Sequence, residues 1–445
     1  MGMSNTYHEQ VSGLNACFGG MSSPPGGRSL RRIDGGTPLL LLVCLVIFVD
    51  SLGYGVVVPV LPLYAKTLGI GDFHLGLLFA TYAIALLAGS IPFGMLSDRF
   101  GRKPFVMFGM FAMAGAFVFY AFANTYDMLV IARILDGLTA AATWSAGLAL
   151  IGEGFDEKVL GEKYGYVLTA MAAGSIAGPV IGGVLSDAAG YESPFIFIAA
   201  LCLAGGIASL FLRERRLPRP GRPKRKRGEP APPGALRVML APILGNRLIM
   251  LACLVTMITT VGFGLLEPML PIRLSRTFDM SRTGIGLLFG VTMTFFGVLS
   301  PVVGRLSDRI GRKKLIVAGL VATAVVAPLL TVAPSVPLTY VLMGLYGVTA
   351  AFFATPSLPL ITDNLSATGE PGENTGSLFG TAFGVMNLFW SLGYVLGPLL
   401  GGVMTGLGGL LSATLVYSFL LLALTVPVMK VLGNGKREQP PVRTA

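Results

Sequence analysis

GMLSDRFGRK, residues 94–103, returns as GRLSDRIGRK at residues 304–313, each time at the end of a long apolar segment. Two further pairs follow in the same order at nearly the same offset: GYGVVVPVLP (53–62) with GFGLLEPMLP (262–271), and GSIAGPVIGG (174–183) with GYVLGPLLGG (393–402). Three ordered pairs indicate that a membrane unit is duplicated within the chain. Two halves related in this way are typical of secondary transporters, whose substrate site lies between the halves near the bilayer midplane.

The composition supports a membrane protein independently of these repeats. Hydrophobic residues make up 53% of the chain, charged residues only 12%, and the mean hydropathy is +0.74. Such a chain is too apolar for a water-soluble core, so we predict an all-α membrane protein with twelve transmembrane helices in two pseudo-symmetric six-helix bundles. The predicted spans are 38–62, 75–97, 105–123, 128–151, 164–187, 194–212, 248–272, 284–305, 315–334, 337–361, 376–404 and 408–430.

The net charge of +11 is concentrated on one side of the predicted membrane. The clusters on that side are Arg28, Arg31 and Arg32 before the first span, Arg99, Arg102 and Lys103 after the second, Arg309, Arg312, Lys313 and Lys314 after the eighth, and the basic run from Arg213 to Arg237. Basic loops stay in the cytosol, so we predict a multi-pass protein of the inner or plasma membrane with both termini cytosolic. The charge thus indicates membrane orientation and contact with anionic lipids, and we expect no nucleic-acid partner.

This reading divides the chain into five segments: a disordered cytosolic tail (1–37), an N-terminal bundle (38–213), a basic cytosolic linker (214–246), a C-terminal bundle (247–432) and a second cytosolic tail (433–445). The linker is rich in Pro, Gly, Arg and Lys and lacks apolar periodicity, as expected for a solvated tether. The two histidines lie far apart and near no acidic or cysteine cluster, so we expect no metal and no cofactor. We expect a monomer.

The duplication is broken at two acidic positions, which marks them as functional candidates. Asp50 is the only charged residue between Pro38 and Ala65, near the middle of its span, and its counterpart in the repeat is the neutral Thr259. A carboxylate at that depth costs about 3 kcal/mol to insert, so a role in substrate or proton binding is the default reading, with a helix-pairing role as the alternative. Glu267, the only charge between Leu248 and Ile272, has the same candidate role.

Arg133 and Asp136 are the remaining charges within the spans of the first bundle. They lie three residues apart on the fourth predicted helix, a spacing at which they can pair. Arg133 is therefore a candidate for substrate or proton binding, and a local ion pair is the alternative.

The repeated turn after the second and eighth spans is a candidate conformational latch. It places Asp98 and Arg102, and again Asp308 and Arg312, in a short loop. An aspartate there can meet a helix N-terminus or an arginine of the other bundle in one conformation only. The alternative is a solvated loop that only sets orientation.

The GxxxGPxxGG tract indicates close helix packing in the fifth and eleventh spans. Glycines one turn apart clear a face for another backbone, and proline bends the helix axis. The packing candidates are Gly174, Gly178, Pro179, Gly182, Gly183, Gly393, Gly397 and Pro398.

Together these motifs resemble the major facilitator superfamily over residues 38–432, and within it the proton-coupled drug antiporters. The segments FVDSLGYGVVVPVLPLYA (48–65) and LLEPMLPI (265–272) are similar to the vesicular amine transporters and their bacterial multidrug relatives. The resemblance implies that the tract at 174–183 seals a bundle interface against leak and that Arg133 takes part in proton transfer. The family pattern has Gln where this chain has Asp136, and the vesicular transporters carry an acid where this chain has Asn387, which we retain as a binding candidate.

We therefore expect efflux of lipophilic, cationic drug-like or amine compounds in exchange for protons by alternating access, driven by a proton gradient. The small-molecule substrate, protons and membrane lipids are the expected partners. A desolvated carboxylate binds protons more tightly, so proton and cation can compete for one site. The sequence contains no nucleotide-binding loop, metal cluster or nucleophile triad, so we expect an ion gradient rather than ATP as the energy source. We expect a transporter and not an enzyme. The alternatives are a transporter of neutral hydroxylated solutes such as sugars, and a receptor or scaffold that transports nothing.

Overall fold

The computed structural model describes residues 36–155, 159–211, 241, 243–368 and 375–432. The predicted tails and linker lie wholly or almost wholly outside these residues. Every long element in the described part is α-helical, and the first ten transmembrane helices are α1 (Gly36–Thr67), α2 (Asp72–Phe100), α3 (Arg102–Phe122), α4 (Tyr126–Gly154), α5 (Leu160–Ala189), α6 (Ser193–Phe211), α7 (Arg247–Phe278), α8 (Arg282–Ile310), α9 (Arg312–Val332) and α10 (Val336–Ala354, continued by Ser357–Thr368).

The last helical run, Thr375–Val431, contains two spans. Its apolar part covers 48 residues, which would extend about 72 Å as one helix and exceed the bilayer core more than twofold. The run breaks at Gly408 and Gly409, where φ of Gly409 is 78°, a left-handed conformation that favours glycine. We number its two parts α11 (375–407) and α12 (410–431). The eleven continuous apolar helices found in the described residues therefore provide twelve spans, and the fold prediction is confirmed.

The duplicated turn has the same backbone geometry in both halves. Gly101 between α2 and α3 has φ 107°, and Gly311 between α8 and α9 has φ 95°. Each donates its backbone N–H to the serine carbonyl four residues earlier at 3.0 Å. Because L residues with side chains rarely adopt this φ, glycine ends one helix here and lets the next begin at once.

The two bundles contact each other through α2 with α11 and α5 with α8. A Cβ atom at Gly76 would overlap the Pro398 carbonyl, and one at Gly183 would overlap the Arg282 carbonyl. These contacts lie toward the ends of the helices that carry the α1–α2 and α7–α8 turns. The bundles are therefore packed together on the side that the charge pattern predicts to be extracytosolic.

Toward the side of the repeated turns, the facing surfaces of α2, α5, α8 and α11 are no longer in contact with the other bundle. The close-contact glycines of the four interface helices are Gly76, Gly183, Gly286 and Gly402. Each helix carries a second glycine on the same face, eighteen residues or five turns away: Gly94, Gly165, Gly304 and Gly384. A Cβ atom at these positions would meet no described atom of the other bundle within 4 Å. The bundles therefore splay apart toward the repeated turns. With those turns in the cytosol, as the basic clusters predict, this is an inward-facing arrangement.

Candidate functional site

Asp50 lies near the middle of α1 and is buried inside the first bundle, with 6% of its surface exposed. The indole Nε1–H of Trp144 on α4 donates to Asp50 Oδ2 at 2.6 Å. Its counterpart in the second half, Thr259, donates its hydroxyl to the Val255 carbonyl of its own helix at 2.7 Å. The two halves thus use this position differently, and only the first places an ionisable group there.

Glu267 is held from the other bundle. Its side chain on α7 is 2% exposed, and Tyr54 Oη on α1 donates to Glu267 Oε2 at 2.6 Å. Tyr394 on α11 also interacts with this carboxylate. Because Tyr54 lies one helical turn from Asp50 on α1, the two buried acids lie at neighbouring levels along that helix.

Tyr54 was not among the sequence candidates. A break in the duplication could have identified it, because the residue equivalent to Tyr54 in the second half is Phe263. Phe263 lacks the hydroxyl group through which Tyr54 binds Glu267.

Four aromatic side chains surround this region and form what we call the aromatic cluster: Tyr54, Tyr82, Trp390 and Tyr394. Ring centroids are 5.0 Å apart for Tyr54 and Tyr82, 5.9 Å for Tyr54 and Tyr394, and 4.6 Å for Trp390 and Tyr394. Two of the rings come from the first bundle and two from the second. The cluster therefore lies between the bundles, next to both acids.

Arg133 lies on α4 beside the cluster and is fully buried. Its guanidinium carbon is 4.6 Å from the Phe79 ring centroid, 5.0 Å from that of Tyr82 and 5.7 Å from that of Tyr54. Asp136 Oδ2 is 3.7 Å from Arg133 Nη1, so the two charges form a long ion pair. None of the three guanidinium nitrogens has a hydrogen-bond partner within the described part of the chain.

Asn387 stands apart from this buried group. It is exposed, on the face of α11 that also carries Trp390 and Tyr394 three and seven residues later. The structure therefore brings Asp50, Glu267 and Arg133 together and leaves Asn387 at the margin.

The packing tracts lie against the helices that carry the two acids. Gly178 of α5 faces the Leu52 carbonyl at 2.6 Å and Gly55 Cα at 2.8 Å, measured from an ideal Cβ position. Gly174 and Gly182 approach α1 a turn to either side, Gly183 and Pro179 face α8, Gly393 and Gly397 face α7, and Pro398 faces α2 and α7. Both acid-bearing helices are thus held by a glycine-lined face of a neighbouring helix.

The charges of the repeated turn pair within their own bundles. Arg102 contacts Asp98 and lies 3.1 Å from Glu153 at the end of α4. Arg312 lies 4.0 Å from Asp308 and 2.6 Å from Asp363 in the continuation of α10. Among the described residues these side chains make no contact with the other bundle. A latch between bundles stays a prediction for a conformer closed on this side.

Asp187, which the sequence analysis did not select, bridges the bundles on the closed side. From the end of α5 it accepts hydrogen bonds from the backbone N–H groups of Arg282 at 3.3 Å and Thr283 at 2.8 Å, at the start of α8. The Arg282 guanidinium lies 3.8 Å from the same carboxylate. Its counterpart at the offset of the GxxxGPxxGG pair is Gly406, so only the first half supplies this contact.

Comparison with known proteins agrees with the fold described above. The family model described as Major Facilitator Superfamily matches the chain twice, over residues 43–260 and 252–445, one match to each half. Among curated proteins, the chain is 28% identical to multidrug resistance protein 1 of Bacillus subtilis over 80% of this chain and 87% of that protein. It is 26% identical to the mouse MFS-type transporter SLC18B1, covering 78% and 76%, and 26% identical to a probable vesicular acetylcholine transporter-B of Danio rerio, covering 82% and 73%.

Among solved structures, the fold is similar to that of a bacterial homologue of the human lysosomal transporter Spinster. The TM-score is 0.71 at 15% sequence identity, covering 90% of this chain and 96% of that one. The nucleoside transporter NupG gives a TM-score of 0.69 at 14% identity, covering 89% and 99%. At these identities the similarity is one of fold.

Proposed function

This chain belongs to the major facilitator superfamily, and on that basis we propose that it is a proton-coupled antiporter that exports lipophilic cations. As a member of this family it is a multi-pass membrane transporter of small molecules and not an enzyme. The energy source, the exchange with protons and the cationic substrate class are the proposal.

The observation that carries the proposal is that two buried acids lie beside the aromatic cluster between the bundles, each bonded to an aromatic side chain. Asp50 and Glu267 each receive one hydrogen bond of 2.6 Å from an aromatic side chain, Trp144 and Tyr54 respectively. A carboxylate supplies charge to a cation, and aromatic faces supply cation–π contact and apolar area. Such a site suits an amphiphilic cation better than a neutral sugar, which requires several amide and hydroxyl partners.

The names of the relatives support the same substrate class. One is called a multidrug resistance protein and another a probable vesicular acetylcholine transporter, and acetylcholine is a quaternary ammonium compound. The chain covers more than two thirds of both proteins, so the likeness includes both bundles.

The two-sided geometry supports alternating access. In the conformer described, the bundles meet on one side through Gly76 and Gly183, and the matching faces on the other side are apart. We propose that a cation enters from the open side, displaces a proton from a buried carboxylate, and leaves when the bundles close there and open on the opposite side. A proton taken up on that opposite side then resets the site.

The test uses purified protein in liposomes with an imposed pH gradient. A fluorescent lipophilic cation should accumulate against its gradient only when the proton gradient is present, and a protonophore should abolish the accumulation. Radiolabelled glucose under the same gradient is the matched control and should not accumulate. Sugar accumulation would favour the sugar transporter, and absence of flux for any compound that binds would favour a receptor.

A further inference from the structure

Asp136 is a buried carboxylate with unusually weak partners. It lies on α4 with 3% of its surface exposed. The distances to its polar contacts in the described residues are 3.7 Å to Arg133 Nη1 and 3.5 Å to Tyr120 Oη. Charge-assisted hydrogen bonds to carboxylates are typically about 2.5–2.9 Å. A buried carboxylate usually requires closer partners, so neither contact fixes Asp136 in its ionised form.

Arg133 keeps its place without Asp136. Three aromatic rings surround its guanidinium, with Phe79 at 4.6 Å and Tyr82 at 5.0 Å nearest. Cation–π contacts stabilise a desolvated guanidinium. Arg133 is therefore a fixed positive charge beside Asp136, and it remains supported whether that carboxyl group is ionised or protonated.

The second half of the chain carries neither charge at the equivalent positions. At the offset of 210 residues set by the repeated turn, Arg133 corresponds to Met343 and Asp136 to Tyr346, both on α10. The equivalent helix therefore packs in the equivalent bundle without either charge. The Arg133–Asp136 pair therefore breaks the duplication, as Asp50 and Glu267 do.

From these observations we propose that Asp136 is a proton-binding residue of the transport cycle, in addition to Asp50. The proposal rests on the proton-coupled antiport proposed above. When the cation leaves, a proton from water forms an O–H bond with the Asp136 carboxylate and the ion pair with Arg133 is lost. When a cation enters, that O–H bond breaks, the proton returns to water on the open side, and the ionised Asp136 pairs with Arg133 again.

The groups that face Asp136 are consistent with this exchange. They are Arg133 on its own helix, Tyr120 on α3, Asp50 on α1, Tyr82 on α2 and Cys202 on α6. Within this set, two carboxylates share one permanent cation. Asp136 therefore shares its cation with Asp50, and protonation of Asp136 removes one of the two buried negative charges of this set.

The test counts protons released when a cation binds to the purified full-length protein in weakly buffered detergent. Tetraphenylphosphonium is the probe, and a pH indicator reports release at saturation. We expect Asp136→Asn to release about one proton fewer per bound cation than the parent. Asp127→Asn, an exposed acid in the first turn of the same helix, is the matched control and should release as many protons as the parent.

Asp136→Asn leaves Arg133 without a counter-charge and can impair folding, so a second variant removes both charges. Arg133→Met combined with Asp136→Asn restores local neutrality and should also release about one proton fewer. An unchanged proton count in either folded variant, with the parent releasing protons, overturns the role of Asp136 and leaves antiport intact. A parent that binds the cation without releasing any proton overturns both proposals.

Discussion

Replacing Asp187 by Ala should shift the protein away from the conformer described here. The carboxylate binds the start of α8 from the other bundle through two backbone N–H groups, at 2.8 Å and 3.3 Å, and its ion pair with Arg282 is long at 3.8 Å. Ser281 is the N-cap of α8 and remains in the variant, so the loss is that of the two hydrogen bonds to Asp187, which contribute about 0.5–1.5 kcal/mol each. Asp187 is 30% exposed, so we discount the ion pair and use about 1 kcal/mol. That energy corresponds to a roughly fivefold change in the ratio of closed to open conformers on this side.

Distance measurements between spin labels can detect this shift. Labels at Glu192 and Thr277, one exposed position on each bundle near the closed side, would report two distances in a cysteine-free background. Asp187→Ala should increase the ratio of the longer-distance to the shorter-distance population about fivefold. Asp127→Ala, an exposed acid on the same side that lies within one bundle, is the control. A distance distribution unchanged from the parent, or shifted toward the shorter distance, would refute the reasoning.

Three further predictions follow from the packing and the site. Gly178→Ala should lower the thermal stability measured in detergent, because its Cβ would lie 2.6 Å from a carbonyl of α1 and overpacking costs about 1–3 kcal/mol. Gly165→Ala on the same helix is the control: its Cβ would meet no described atom within 4 Å, so the thermal stability should stay unchanged. Trp144→Phe removes the donor to Asp50 and should move the pH profile of transport about one unit to higher pH; the idea fails if only expression changes and the profile does not. Asp98→Asn should lower the maximal rate more than the substrate affinity, because a latch biases the conformational equilibrium, and the opposite pattern in transport kinetics would contradict that role.

The twelve spans were predictable because a transmembrane helix is specified by its own composition. An apolar stretch of sufficient length must satisfy its backbone within itself, so hydropathy alone indicates where helices form. The apolar sequence runs without interruption across the break between α11 and α12 at Gly408 and Gly409. The two spans could still be separated because one span cannot be much longer than the bilayer is thick. The acids Asp50 and Glu267 could be selected because a charge in hydrocarbon is costly.

The partners of those acids could not be predicted from the sequence. The bond between Tyr54 and Glu267 joins residues 213 positions apart, and that between Trp144 and Asp50 joins residues 94 positions apart. Both depend on how each helix is rotated about its axis, which periodicity determines poorly when nearly every residue of a helix is apolar. Asp187 could not be predicted as a bridge between the bundles, because in the sequence an acid at a helix end resembles a solvated boundary residue. Its role depends on the packing of the other bundle against it.

The most direct test of proton-coupled cation exchange is the comparison of Asp50→Asn with the parent in liposomes, measured in two modes. Asparagine keeps the size and hydrogen bonding of the side chain, is cheaper to bury than a carboxylate, and removes titration. Accumulation of a lipophilic cation driven by a pH gradient should be lost, whereas exchange of labelled for unlabelled cation without a gradient should persist and demonstrate a folded, mobile protein. Asp50→Glu should retain partial accumulation with a shifted pH optimum. An Asn variant that concentrates the cation with the same pH dependence as the parent would contradict the assignment of Asp50 as the coupling residue.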